Sequence, residues 1–144
     1  MNVAITSDHR GYELKEFIKK NLKQYNFIDL GTNSTKSVDY PDFAFKLGKY
    51  VKDNNCFGIA ICGSGIGISI ACNKVKGIRC AKVNSIKDAV YTRRDNDSNV
   101  IAISSNINKE RVLKIIDRFL NEKFSNEQRH INRINKINEY EKSN

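Results

Sequence analysis

A short apolar run that breaks into a glycine loop and then turns helical constrains this chain more than any other feature. Phe57 to Lys74 reads FGIAICGSGIGISIACNK. Ile59-Ala60-Ile61 is too short for a helix and rich in Ile, so it predicts a buried strand. Cys62 ends the run. Gly63-Ser64-Gly65-Ile66-Gly67 follows, and Ile68 to Lys74 is compatible with a helix. Strand, glycine loop and helix start together favour anion binding. Glycines let successive backbone N–H groups turn inward, and a helix N-terminus carries partial positive charge.

Two familiar glycine loops are excluded. No Lys follows the glycines, as a Walker loop requires. Ile68 stands where the dinucleotide fingerprint needs its third Gly. The adjoining Cys sharpens the signal. A thiol beside a helix start has its thiolate favoured, and a thiolate beside N–H donors is a base or nucleophile beside an oxyanion hole. Alone, Cys62 reads as a small apolar residue filling a strand end. Beside the loop, the two readings stand level.

The chain has 144 residues, 40% hydrophobic and 28% charged, which predicts one globular domain over 1–144. No apolar run reaches membrane-span length, and MNVAITSDHRGY lacks the pattern of a signal peptide. Cys56, Cys62, Cys72 and Cys80 show no zinc spacing, so they are expected as reduced thiols in the cytoplasm. The net charge of +9 raises the question of nucleic acid. Lys and Arg are spread through every segment, without a basic run or an RNA-binding motif. The expected partner is therefore a small anion, with no nucleic acid and no membrane.

Asn2 to Thr6 predicts the first strand, followed by the loop Ser7 to Gly11. Leu14, Phe17, Ile18, Leu22 and Tyr25 mark an amphipathic helix. Strands are expected at 27–30, 59–62, 78–83 and 100–103. Helices are expected after Pro41, after the glycine loop, from an N-cap at Ser85 to Thr92, and through Val112 to Leu120. Arg93 to Asn99 reads as a polar loop. Alternating strands and helices predict an α/β fold. It is a single-domain, doubly wound, mostly parallel five-stranded sheet with helices on both faces, plus an extra C-terminal helix over about 127–144. That helix carries a narrow stripe, Ile131, Ile134, Ile137 and Tyr140, which points to packing on a partner subunit.

Ligands of such sheets bind at the carboxyl ends of strands. Three loops are expected there: Ser7 to Gly11, Cys62 to Gly67, and Arg93 to Asn99. Asp8 with His9 is an acid–base candidate, or a capping Asp beside a surface His. Arg129 and Arg133 share a helix face and can fork onto one phosphate, or form a solvated face. Tyr40 reads as packing with a wet hydroxyl.

VAITSDHRG at 3–11, Asp39-Tyr40-Pro41, CGSGIGISIACNK at 62–74, Gly77-Ile78-Arg79, NDSNV at 96–100 and Arg129-His130-x-x-Arg133 occur in the order of one family. The chain resembles the ribose-5-phosphate isomerase B family, which also holds galactose-6-phosphate isomerase subunits. The resemblance implies interconversion of ribose 5-phosphate and ribulose 5-phosphate through an enediolate, in pentose phosphate metabolism, without metal or cofactor. It implies Cys62 as base, with Ser64 and the Gly63, Gly65 and Gly67 amides holding the enediolate oxygens. Asp8 would open the ring, and His9, Arg129 and Arg133 would bind phosphate. Tyr40 and Asn96 would line the pocket. It further implies a homodimer or dimer of dimers with active sites at the interface.

Two positions depart from the family. Asp95 stands where a ring-opening His is common, and Asn106 where an Arg adds to the phosphate site. These keep open a galactose-6-phosphate or allose-6-phosphate isomerase, or an impaired sugar-phosphate-binding homologue.

Overall fold

The computed structural model describes residues 1–144. Five strands alternate with helices: β1 (Asn2–Ser7), α1 (Tyr12–Asn21), β2 (Asn26–Asp29), α2 (Tyr40–Asn54), β3 (Phe57–Cys62), α3 (Ile66–Cys72), β4 (Cys80–Lys82), α4 (Ile86–Asn96), β5 (Val100–Ser104), α5 (Lys109–Asn121) and α6 (Gln128–Ser143). The sheet order is β2-β1-β3-β5-β4, and every pairing is parallel.

The continuous apolar runs predicted this burial. β1 from Val3, β3 from Gly58 and all of β5 lie inside, because helices cover both faces. Side chains alternate between two cores. Val3, Ile5, Ile59, Ile61, Ile101 and Ile103 meet α1, α4 and α5. Ala4, Ala60, Cys62, Val100 and Ala102 meet α2 and α3 on the other face. Ser85 caps α4 by accepting from Asp88 N–H at 3.1 Å, and Pro41 occupies the first turn of α2.

Three expectations need correction. The first helix ends at Asn21, so Tyr25 is not on its stripe. Tyr25 packs against Phe27 and hydrogen-bonds Asp117 instead. β4 is only three residues long, at the sheet edge.

The third correction concerns the site. Arg93 to Asn96 is helical, and Asp97 ends α4 in the left-handed region at φ 46°. The apolar period fades after Thr92, but two other forces extend the helix. The Asp97 N–H returns to the Thr92 and Arg93 carbonyls, and basic residues sit at the negative end of the helix. The segment leads into β5, so in a parallel sheet it lies at the amino edge. The Asn99 carbonyl accepts from Gly58 N–H there. Asp95 and Asn96 therefore do not share an edge with Asp8 and Cys62.

α6 docks by its first half on α4 of its own chain, burying His130 and Ile134. Ile137 and Tyr140 stay exposed. No helix is long and apolar enough to cross a membrane.

Candidate active site

Strand order reverses between β1 and β3, where the chain leaves β1 toward β2 on one side and β3 lies on the other. A crevice opens at the carboxyl ends of such a pair. The loops after these two strands carry Asp8, His9 and Cys62.

Cys62 is 5% exposed and faces the α2/α3 core. Gly65 N–H donates to its Sγ at 3.2 Å. That donor exists because the loop folds back at Gly65, where φ is +76°. A side chain there would be strained, and its Cβ would lie 3.0 Å from the Ile103 carbonyl carbon and the Ser104 nitrogen. Ser64 Oγ accepts from Ile66 N–H at 3.1 Å and fixes the start of α3. A Cβ at Gly67 would meet Tyr40 Cζ at 2.6 Å, so the Tyr40 ring lies directly on the loop.

Two of the other thiols are held in the protonated form. A hydrogen bond with Cys80, burial and the nearby Cys62 all push the Cys72 thiol far above its ordinary range. Burial also pushes Cys56 up, against two weaker backbone hydrogen bonds. All four cysteines are unpaired.

Asp8 is 5% exposed. Its Oδ1 accepts from Arg10 N–H at 3.0 Å and Gly11 N–H at 3.1 Å. These bonds turn the chain into α1 and leave Oδ2 for a substrate hydroxyl. His9 Nδ1 accepts from Val38 N–H at 3.2 Å. With that nitrogen occupied, Nε2 is the one that carries a proton outward.

Three neighbours of this crevice, Ser104, Arg10 and Val38, take no role from the sequence, and Asn106, expected at the phosphate site, joins them. Ser104 Oγ donates to the Gly63 carbonyl at 2.7 Å, and Asn106 Nδ2 reaches the same oxygen at 3.4 Å. Arg10 packs on Gly63, and Val38 holds His9. The available signal was strand pairing: Cys62 registers with Ser104, so whatever follows β5 must meet the glycine loop.

The remaining predicted residues gather at the amino edge. His130 Nε2 lies 3.4 Å from Asp95 Oδ1 and 3.3 Å from Glu127 Oε2. Arg129 pairs with Glu127 at 2.9 Å, and Arg133 is exposed one turn along α6. Asn96 gives its carbonyl to Arg79 Nε at 2.9 Å. One chain thus brings Asp8, His9, Tyr40, Cys62 and the glycine loop together. It holds Asp95, Asn96, Arg129 and Arg133 apart from them. Nowhere do three His, Cys, Asp or Glu side chains converge as a metal site needs.

Comparison with known proteins extends over nearly the whole chain. The family model for ribose/galactose isomerase matches residues 3–137. The structure of Clostridium thermocellum ribose-5-phosphate isomerase B superposes with a TM-score of 0.94 at 44% identity, covering 99% of both chains. Ribose-5-phosphate isomerase B from Mycoplasma genitalium, solved with bound ribulose-5-phosphate, gives 0.93 at 44% identity over 99% of this chain and 97% of that one. The ribose-5-P isomerase B of Listeria innocua is 36% identical over 87% of each chain.

Proposed function

The chain belongs to the ribose/galactose isomerase family, and from that membership we propose that it interconverts ribose 5-phosphate and ribulose 5-phosphate with the Cys62 thiolate as base. The observation that carries this reading is the Gly65 N–H on Cys62 Sγ at 3.2 Å, placed where the strand order reverses. That contact fixes the sulfur beside the loop amides that would hold the enediolate oxygens. The substrate assignment draws support from the Mycoplasma relative that holds ribulose-5-phosphate.

Asp8 Oδ2 takes the proton of the anomeric hydroxyl as the C1–O4 bond breaks, and O4 takes a proton from water. Cys62 then removes the proton from C2 and returns it to C1, while the O2 proton passes to O1. Loop amides between Gly63 and Gly67, with the Ser64 hydroxyl, hold the enediolate oxygens. Their alignment matters because the negative charge is largest in the transition state. Tyr40 walls the pocket, and His9 Nε2–H reaches the phosphate.

Asp95, Asn96, Arg129 and Arg133 enter from a second subunit. A single-domain protomer holds two half-sites at opposite sheet edges, and a symmetric pair completes both. Ile137 and Tyr140, exposed on α6, supply apolar surface for that contact. Asp95 in place of the common His favours one other reading, a six-carbon sugar phosphate as substrate.

The test is isomerisation of ribose 5-phosphate beside allose 6-phosphate and galactose 6-phosphate, with Cys62→Ala as control. Turnover of the ribose compound that disappears in the variant is the expected result. Turnover of six-carbon substrates alone moves the assignment to the second reading. Binding without any turnover identifies an impaired homologue. A pH–rate profile unchanged by Asp95→Asn removes Asp95 as ring-opening acid.

A further inference from the structure

We propose that Arg10 is a phosphate-binding residue of this site, recognising the dianionic phosphate monoester from the outer side of the glycine loop. The proposal rests on the sugar-phosphate reading above and adds a cation to it. Arg10 follows His9 in the turn that Asp8 Oδ1 holds by accepting from the Arg10 and Gly11 amides. That turn fixes the Arg10 backbone, and the side chain extends back across β3. A Cβ at Gly63 would meet Arg10 Cδ and Nε at 3.0 Å and Cζ at 3.2 Å. The guanidinium therefore packs against Gly63, and a larger residue there would push it aside by a few tenths of an ångström.

The guanidinium has no partner. Arg79, Arg93, Arg118 and Arg129 each pair with a carboxylate; Arg10, like Arg94, Arg111 and Arg133, enters no ion pair and no side-chain hydrogen bond, and of these four it alone follows His9 and packs on the glycine loop. An uncommitted planar fork beside a loop of inward-turned amides is arranged for an oxyanion that accepts two parallel bonds. On the same glycine, Asn106 Nδ2 approaches the Gly63 carbonyl at 3.4 Å. Asn106 adds a neutral donor there and no charge, so Arg10 supplies the cation at this corner.

Exposure separates the phosphate from the reacting carbons as the target. Cys62 is 5% exposed, and C1 and C2 must reach it. Arg10 is exposed at the rim, where the phosphate at the far end of a five-carbon chain emerges. His9 Nε2 comes to the same rim from the adjacent residue. A contact that is equal in ground and transition state changes binding and leaves the chemical step alone.

The experiment measures inorganic phosphate binding by calorimetry and steady-state kinetics on ribose 5-phosphate. It uses the wild type, Arg10→Ala, Arg10→Lys and Arg10→Ala/Asn106→Arg. Arg10→Ala is expected to weaken phosphate and raise KM by about tenfold each, with kcat changed less than threefold, as for one lost charge-assisted pair. Arg10→Lys should fall between, and the double variant should recover most of the loss. Equal melting temperatures show that the fold is intact. Phosphate affinity and KM within twofold of wild type in Arg10→Ala overturn the proposal, as does a fall in kcat at unchanged KM. A wild type that binds phosphate without turning over any substrate overturns the isomerase reading instead, and the phosphate titration still decides Arg10.

Discussion

At the amino edge of the sheet, Arg93 donates to the Glu122 and Ser98 carbonyls and to the Asp97 carboxylate, and stacks on Phe57 at 4.8 Å. At the carboxyl edge, Arg10 lies on Gly63 with no partner. Arg79 resembles Arg93: it holds the Asn96 and Asp97 carbonyls at 2.9 Å each. Together these two arginines line a cleft of about 590 Å³, yet each already donates three hydrogen bonds within the chain. They brace the end of α4. At the other edge each group is held by one side only. Asp8 has one oxygen engaged, His9 one nitrogen, and Cys62 one donor. Ser7 Oγ, buried at the end of β1, has no partner at all. A site needs its groups oriented and still able to bind; a brace needs them satisfied.

The largest effect tests whether the two edges meet across a subunit boundary. Cys62→Ala and Arg133→Ala each disable one proposed half-site, and losing the proposed base should cost about a thousandfold in rate. Mixed and reassociated, and assayed with substrate well below KM where both variants are impaired, the two proteins should regain about a quarter of wild-type activity. Half of random pairs are mixed, and each mixed pair of a twofold assembly carries one intact site of two. Mixtures that stay inactive while exchanging subunits show that both edges serve one chain.

Next comes Gly65→Ala. A residue other than Gly at φ +76° costs about 1–2 kcal/mol, and Ala would press on Ile103 and Ser104. The N–H that meets Cys62 shifts with it. A misplaced donor typically costs about a hundredfold in rate. The expected outcome is a fall of that order in kcat/KM with a melting temperature lower by a few degrees. A rate within threefold of wild type separates the Gly65 contact from catalysis.

The carboxyl edge was legible because its signals are local. A strand end, a glycine cluster and Cys62 lie within eleven residues, and Asp8-His9 directly follows β1. The strand and helix order followed from apolar runs and from caps at Ser85 and Pro41. Arg93 to Asn99 was misplaced for a physical reason. Its polar composition looks like a loop, and only Arg93 and Asp97, folding back on the helix end, make it helical. Tyr25 fitted a helical period by coincidence of spacing, while its hydroxyl belongs to Asp117 on α5. Partners such as Val38 for His9 and Ser104 for Gly63 are 29 and 41 residues away. Only strand register connects them. The Gly63 contact of Arg10 depends on a side-chain path that no spacing rule carries.

Arg93→Ala sharpens the comparison from the structural side. It strips donors from two carbonyls and the Asp97 carboxylate, and Arg93 itself is only 7% exposed. Asp97 is half-exposed and water recovers part of the loss, so unfolding free energy should fall by about 2 kcal/mol. Chemical denaturation reads it directly. Arg10→Ala in the same assay should change stability by less than about 0.5 kcal/mol. Equal losses in the two variants would erase the distinction between brace and ligand arginine.

The smallest effect lies behind the site, at Lys15. Its ammonium is 1% exposed and pairs with Asp29 and with Glu16. Asp29 also accepts from Lys19 at 2.7 Å and, through its other oxygen, from Gly31 N–H at 2.9 Å. Burial pushes the Asp29 carboxyl up, but the bonds from Lys15, Lys19 and Gly31 outweigh it and hold it below the usual carboxylate range. The folded state therefore binds the ionised form more strongly than the unfolded chain does. That contribution is complete above the unfolded value of about 3.9 and is lost as pH falls through the lower folded value. Asp29→Asn should lower stability by about 1 kcal/mol at pH 7. Its deficit should shrink as pH drops below 4, because the wild type alone loses this pair. Denaturation at pH 7, 5, 4 and 3 measures the closing gap; parallel curves would mean that ionisation of Asp29 adds nothing to stability. The pair also anchors the Gly31 turn, from which the chain runs to Val38 on His9. A rise in KM larger than the stability loss predicts would show that this turn positions His9 as well as closing the fold.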